Sequence, residues 1–346
     1  MHEPRQRGSH RRPNATETLA REDYARSALD RLRCARLASI LLCPPRPRRN
    51  ALERELFREI KLRLRTLGRR RQSRRQRYTD ATILEVYCWA AVNDRPVCWA
   101  CDPAHWPKGL RRGPLPSQSD MSRRLRTASA AALFTRLTGR VLQRGRPTPL
   151  VCVIDGKALT IAGHSTDPDA GYGRATRGMG KGYKLHALID LSGVMWGWRV
   201  APMNVDERVI ARDLLAQTPG ECYLLADANY DSNALFEVAQ TRGVQMVVPW
   251  RYGPGNPMGH RAQAESRRRS RDLLEQGTSG FGPALLSQRR RIERYFASLT
   301  AAGGGLTCLP AWVRTLPRVQ MWVQVKLILH QLRADLKARM KMGVAA

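Results

Sequence analysis

LVCVIDGK, residues 150–157, is a short apolar run rich in β-branched side chains that stops at Asp155-Gly156. Runs of this kind form buried strands. The far tip of a strand in an open sheet is where functional groups tend to be displayed. Asp-Gly is also a common turn pair, so Asp155 taken alone reads better as the start of a turn. What tips the balance is a second acid in a matching setting, Asp227 at the end of the apolar run 222–226, and a third, Glu293, on a later helix.

Around this stretch the pattern is one of short strands. Val151–Ile154 is the first, and residues 158–182 are Gly- and Thr-rich and read as a loop. Gly182–Asp190 and Val194–Ala201 follow as a second and third strand about a turn at Ser192-Gly193, giving an antiparallel meander. A helix begins at Asp206 or Glu207. A fourth strand spans Cys222–Ala226, Asp231 caps a further helix, Gly243 ends it, and Val244–Val248 is a fifth strand. The order β-β-β-α-β-α-β predicts an α/β fold with a mixed five-stranded sheet flanked by helices. Residues 250–285 read as an irregular basic insert. A helix is then expected over Leu285–Thr300, and a last one over Arg318–Met340 with Trp322, Val325, Leu329, Leu332 and Leu336 as its core stripe.

N-terminal to Gly145–Pro149 the pattern is helical, which predicts an all-α region ahead of the sheet. Thr79-Asp80 opens a helix in which Ile83, Val86, Tyr87, Ala90 and Ala91 recur at helical spacing. Ser117-Gln-Ser-Asp120 has the spacing of a capping box. A further helix covers Ala128–Gln143. The short helices around SQSDMSRRLR resemble a helix-turn-helix unit, with Arg123 and Arg124 as phosphate contacts; an ordinary helical bundle with a basic exterior is the alternative. The expected domains are a basic, largely flexible arm (1–77), a helical DNA-binding region (78–147) and a catalytic domain with a C-terminal helix (148–346).

Charge narrows the partner. The 346 residues carry 60 Lys or Arg against 29 Asp or Glu, a formal net charge of +31. Residues 1–77 alone hold 23 basic and 8 acidic side chains, nearly half of that excess. Such a field calls for a polyanion, and nucleic acid fits better than a membrane surface, because no long basic helix has a strong apolar face. No apolar run reaches 18 residues, so no transmembrane helix is expected, and no secretory signal is visible. Most of the eight cysteines sit in apolar runs, as buried thiols of a reducing compartment do. Cys98, Cys101 and His105 have a faint metal look but lack a second ligand pair, so structural cysteines are expected. The glycines at 178, 180 and 182 precede a strand instead of a helix, which argues against a nucleotide-binding loop.

Asp155, Asp227 and Glu293 supply hard oxygen ligands of the kind that suit Mg²⁺ or Mn²⁺. VIDGK, GYKLHALID, LLADANYDS and RRRIERYFASLT, taken in order, resemble the catalytic half of the DDE transposases of bacterial insertion sequences, and the likeness spans about Tyr78–Leu336. The resemblance implies an RNase H-like fold and a catalytic, metal-binding triad at Asp155, Asp227 and Glu293, working with two Mg²⁺ or Mn²⁺ ions. It further implies strand cleavage and transfer at terminal inverted repeats, double-stranded DNA as partner, a homo-oligomer on DNA, and a place in the bacterial cytoplasm at the nucleoid. In the insertion-sequence-four group the glutamate helix carries a Tyr, Arg, Glu, Lys signature on one face. Here Arg289 stands four residues before Glu293, while Leu286 and Thr300 occupy the Tyr and Lys positions. Arg289 is therefore a phosphate-binding candidate, and Lys184 and His186, on one strand face, are further DNA-binding candidates. Two rival readings stay open: an RNase H-like nuclease that does not rejoin strands, and a non-catalytic DNA-binding repressor.

Overall fold

Strands β1 (Val151–Thr160), β3 (Gly178–Asp190) and β4 (Met195–Pro202) pair antiparallel, while β5 (Tyr223–Leu225) and β6 (Gln245–Val247) add to β1 in parallel. In this computed structural model the described residues are 47–68, 76–111, 113–142, 147–162, 164–175, 178–252, 262–300, 306 and 308–341. The spatial order β4-β3-β1-β5-β6, a meander followed by two parallel strands, is the RNase H-like arrangement that the motifs imply.

A sixth strand, β2 (Gly171–Ala175), was not expected. It pairs with the first residues of β3, end to end with β4 along the same edge. About half of the Gly-rich stretch read as a loop is thus strand, and β1 runs on through Asp155-Gly156 to Thr160 instead of stopping there. The reason is the partner: β3 supplies a continuous antiparallel register from Cys152↔Asp190 to Thr160↔Gly182, so the Asp-Gly pair never has to turn. Gly156 suits this place because a Cβ there would meet Lys184 Cδ at 2.7 Å.

Alternation along the strands gives the sheet two apolar faces. Cys152, Ile154, Leu188, Leu224 and Met246 pack against α6 (Glu207–Leu215) and α7 (Asn233–Gln240). Val153, Leu159, Tyr183, Leu185, Ala187 and Ile189 face the opposite layer. That layer holds the N-terminal helices α1 (Pro47–Leu67), α2 (Asp80–Val92), α3 (Val97–Ala100), α4 (Gln118–Arg124) and α5 (Ala128–Leu142), together with α10 (Arg290–Leu299) and α11 (Leu316–Lys341). The all-α region and the sheet therefore share one core within the compact unit Leu52–Ala346. Leu56, Phe57, Ile60 and Leu64 of α1 are buried in it; the sequence makes a basic helix over Leu52–Leu67 plausible, and this helix packs into the shared core. Residues 1–46 and 69–75, which make up most of the expected basic arm, lie outside the described residues.

Local signals set most helix ends. Thr79 caps α2 by accepting from Thr82 N, and Ser117 caps α4 by accepting from Asp120 N. Gly243, at φ +70°, closes α7. Two expectations fail. Asp231 does not cap α7, whose cap position is Ser232; its carboxylate instead takes a paired bond from Arg267, at 2.8 and 3.0 Å. Arg267 belongs to α8 (Glu265–Leu274), a helix inside the stretch read as irregular. Its Ser266 and Ser270 face inward, and it covers the outer edge of β6. The expected helix over 285–300 is two, α9 (Phe281–Ser287) and α10, so Leu286 and Thr300 do not share one unbroken helix with Glu293.

Candidate active site

Parallel pairing of β1 with β5 ends at Val153↔Leu225. Two residues on from each lie Asp155 and Asp227, so both acids leave neighbouring strands on the same side, about 5 Å apart at the backbone. Asp227 caps a short 3-10 turn, Ala228–Tyr230, and accepts from Asn229 N at 2.9 Å. Asp155 accepts from Gly156 N at 2.7 Å. Burial pushes the Asp155 carboxyl up to about 6; the Gly156 N–H opposes this, the Asp227 charge adds to it, and Arg289 offsets part of it. Burial also raises Asp227, with the Asn229 N–H opposing and the Glu207 charge adding. The two neighbouring, partly buried carboxylates are thus only partly compensated by the nearby cations.

Glu293, in the first turn of α10, is about half exposed. It joins the pair through Arg289, whose guanidinium donates to Asp155 Oδ2 at 3.3 Å and to Glu293 Oε1 at 2.9 Å. The triad is brought to one place, but with a cation of the chain itself between two of its members. Among the described residues no three His, Cys, Asp or Glu side chains are gathered tightly enough to ligate one ion together. The donor chemistry nevertheless fits a hard divalent cation: carboxylate oxygens on neighbouring strands, with an arginine drawn in beside them.

The DNA-binding candidates are placed unequally. Lys184 is nearly buried and ion-paired with Glu207. His186 is 1% exposed, neither ring nitrogen has a hydrogen-bond partner, and burial pushes its pKa down to about 4, so it stands as a neutral core side chain. Arg124 is drawn inward to Asp80 at 2.6 Å and to the Tyr78 carbonyl at 3.0 Å, where it ties α4 to the start of α2. Arg123 is well exposed beside Asp120. The Cys98-Cys101-His105 group is structural: His105 stacks on Trp99 and its Nδ1 lies 2.8 Å from the Trp99 carbonyl.

Sequence reasoning took Glu207 only for a helix start. In three dimensions its charge acts on Asp155, Asp227 and the buried Tyr230, whose phenol is held far up, first by burial. The one available signal was an acid directly after the cap Asp206; the Lys184 partner that brings it inward is 23 residues away in sequence.

No curated protein matches the sequence. Among solved structures the chain is similar to a piggyBac transposase in the cryo-EM structure of its synaptic complex with hairpin DNA, at 10% identity and a TM-score of 0.46, over 86% of this chain and 77% of that one. The family described as Transposase DDE domain matches residues 146–322, which hold the whole sheet, Asp155, Asp227, Arg289 and Glu293. A match over that span, just above half of the chain, means that this chain belongs to the transposase DDE-domain family.

Proposed function

We propose that the chain cuts and rejoins DNA at the terminal inverted repeats of a mobile element, as a transposase of the bacterial insertion-sequence type, with Asp155, Asp227 and Glu293 as its catalytic acids. The observation that carries this reading is the placement of Asp155, within β1, beside Asp227, just past the end of the parallel neighbour β5, with Arg289 joining Asp155 to Glu293. Asp155 and Asp227 would hold a divalent ion, Mg²⁺ or Mn²⁺, between them, and Glu293 would help hold a second. Bound there, such ions supply the acidity that activates an attacking oxygen and stabilises the departing one. The chain's own part is positional. β1 and the end of β5 orient the two aspartates, and the buried Tyr230 and the Lys184–Glu207 pair lie within electrostatic reach of them. Arg289, 2.9 Å from Glu293, is the group nearest the acids that can meet a DNA phosphate. No protein nucleophile is required, because water or a DNA 3′-hydroxyl attacks. Double-stranded DNA is the partner, and a homo-oligomer on DNA accounts for bringing two ends together.

The test uses the full chain, Mg²⁺ and a supercoiled plasmid carrying the coding segment with its flanking DNA. Excised linear segment and strand-transfer products are expected. Asp155→Asn, Asp227→Asn and Glu293→Gln should each lower product formation by about a thousandfold or more while DNA binding persists. Cleavage without joined product would instead mark a nuclease, and unchanged cleavage by Asp155→Asn would remove the site assignment.

A further inference from the structure

β2 and the start of β3 continue beyond the end of β1 as a two-stranded hairpin. Its register pairs Gly171 with Gly182, Tyr172 with Lys181, Gly173 with Gly180, Arg174 with Met179, and Ala175 with Gly178. Because side chains alternate, one face of the hairpin is nearly bare and the other collects Tyr172, Lys181, Arg174 and Met179. The bare face is pressed against the corner between β4 and α6. A Cβ on Gly173 would lie 2.5 Å from the Met203 carbonyl oxygen, and one on Gly171 would lie 1.9 Å from Asn204 Oδ1. The hairpin is therefore seated through its glycines, with its decorated face turned outward.

That face is not built for the core. Tyr172 is 63% and Met179 74% exposed, Arg174 is exposed, and Lys181 bonds the Ser165 carbonyl at 3.0 Å. An aromatic ring, a thioether and two cations on one ribbon match the chemistry of nucleic acid, with apolar groups for bases and sugars and cations for phosphates. Its position matches too. Asp155 pairs with Ala187, and odd-numbered residues of β3 share its face, as Tyr183 and Leu185 do, so Lys181 and its partner Tyr172 lie on the Asp155 side of the sheet. Lys181 lies six residues before Ala187 on β3, roughly 20 Å along the strand or about six base pairs of duplex.

We propose that the Tyr172–Arg174–Met179 face of this hairpin is a DNA-contacting wedge, which meets the duplex about six base pairs from the phosphate at the acid site. The proposal rests on the DNA-cleaving reading above, and the occupant is duplex DNA. The test replaces Tyr172 with p-benzoylphenylalanine in the full chain and adds end-labelled duplex taken from the DNA flanking the coding segment. Ultraviolet light should join the side chain to DNA near the expected step. The double variant Tyr172→Ala, Met179→Ala should bind that duplex about tenfold more weakly, as loss of one base contact would give, with an unchanged melting curve. An adduct with a second copy of the chain and none with DNA, or unaltered affinity of the double variant, would overturn the wedge. DNA adducts from a protein that cuts nothing would keep the wedge and remove the cleavage reading, whereas no DNA binding at all would remove both.

Discussion

Asp155 carries the sharpest consequence at the scale of a single residue. Its folded pKa, about 6, lies above the usual carboxylate value, so the folded state binds this proton more tightly than the unfolded chain does. The associated stability is complete below about pH 4 and is lost as pH rises through about 6. In the absence of divalent ions, Asp155→Asn should therefore raise the unfolding temperature at pH 7.5 and leave it unchanged near pH 3.5. The gain is bounded at roughly 3 kcal/mol and is reduced by the lost bond to Arg289. Thermal melts at the two pH values decide it, and a gain equal at both would disprove the buried-charge account. The same proton competes with a metal ion, so Mn²⁺ affinity measured calorimetrically should fall as pH drops below 6. That the acids belong together was legible from residue types and motif order alone. That Arg289 sits between two of them was not, because a bond spanning 134 positions leaves no local trace.

At the scale of elements, α8 is attached to the β6–α7 layer by one nearly buried ion pair. Asp231 is 3% and Arg267 10% exposed at the side chain, and Arg267 also stacks over Trp250 at 4.7 Å. Removing one partner leaves the other charge without its counterion in a dry setting. Asp231→Ala should cost about 3 kcal/mol in urea unfolding, well above the ~1 kcal/mol expected for losing the exposed cap in Thr79→Ala. Similar costs for the two would mean that the ion pair is wetter than its burial implies. Caps were readable because Thr79 and Ser117 act within three residues of themselves. Asp231 was misread as a cap for the complementary reason: an acid before an apolar helix looks the same whether it bonds that helix or an arginine 36 residues away.

Over the whole molecule, a net charge of +31 on 346 residues makes DNA affinity an ionic-strength-dependent quantity. Filter binding to a random-sequence duplex should weaken by about a thousandfold or more between 50 and 200 mM salt, as expected for six or more phosphate contacts. A shallow salt slope would show that the excess charge is spent elsewhere than on DNA. The buried pairs Arg124–Asp80 and Lys184–Glu207 already illustrate that some of the basic residues serve the fold and are removed from that count.

The five-strand core order and most helices were legible in the sequence itself, as were the expectation of a polyanion partner and the choice of the three acids, because these rest on local periodicity, composition and motif order. The mixed sheet follows from the meander of the first three core strands and from the helices that separate the last two. Only the tertiary structure decided that β1 runs through its Asp-Gly pair, that part of a glycine-rich stretch is strand, that His186 is buried and Arg124 paired with Asp80, and that Arg289 and Glu207 lie beside the acids. In each case the deciding force is a partner distant in the chain: a neighbouring strand that satisfies backbone hydrogen bonds, or an opposite charge that makes burial tolerable.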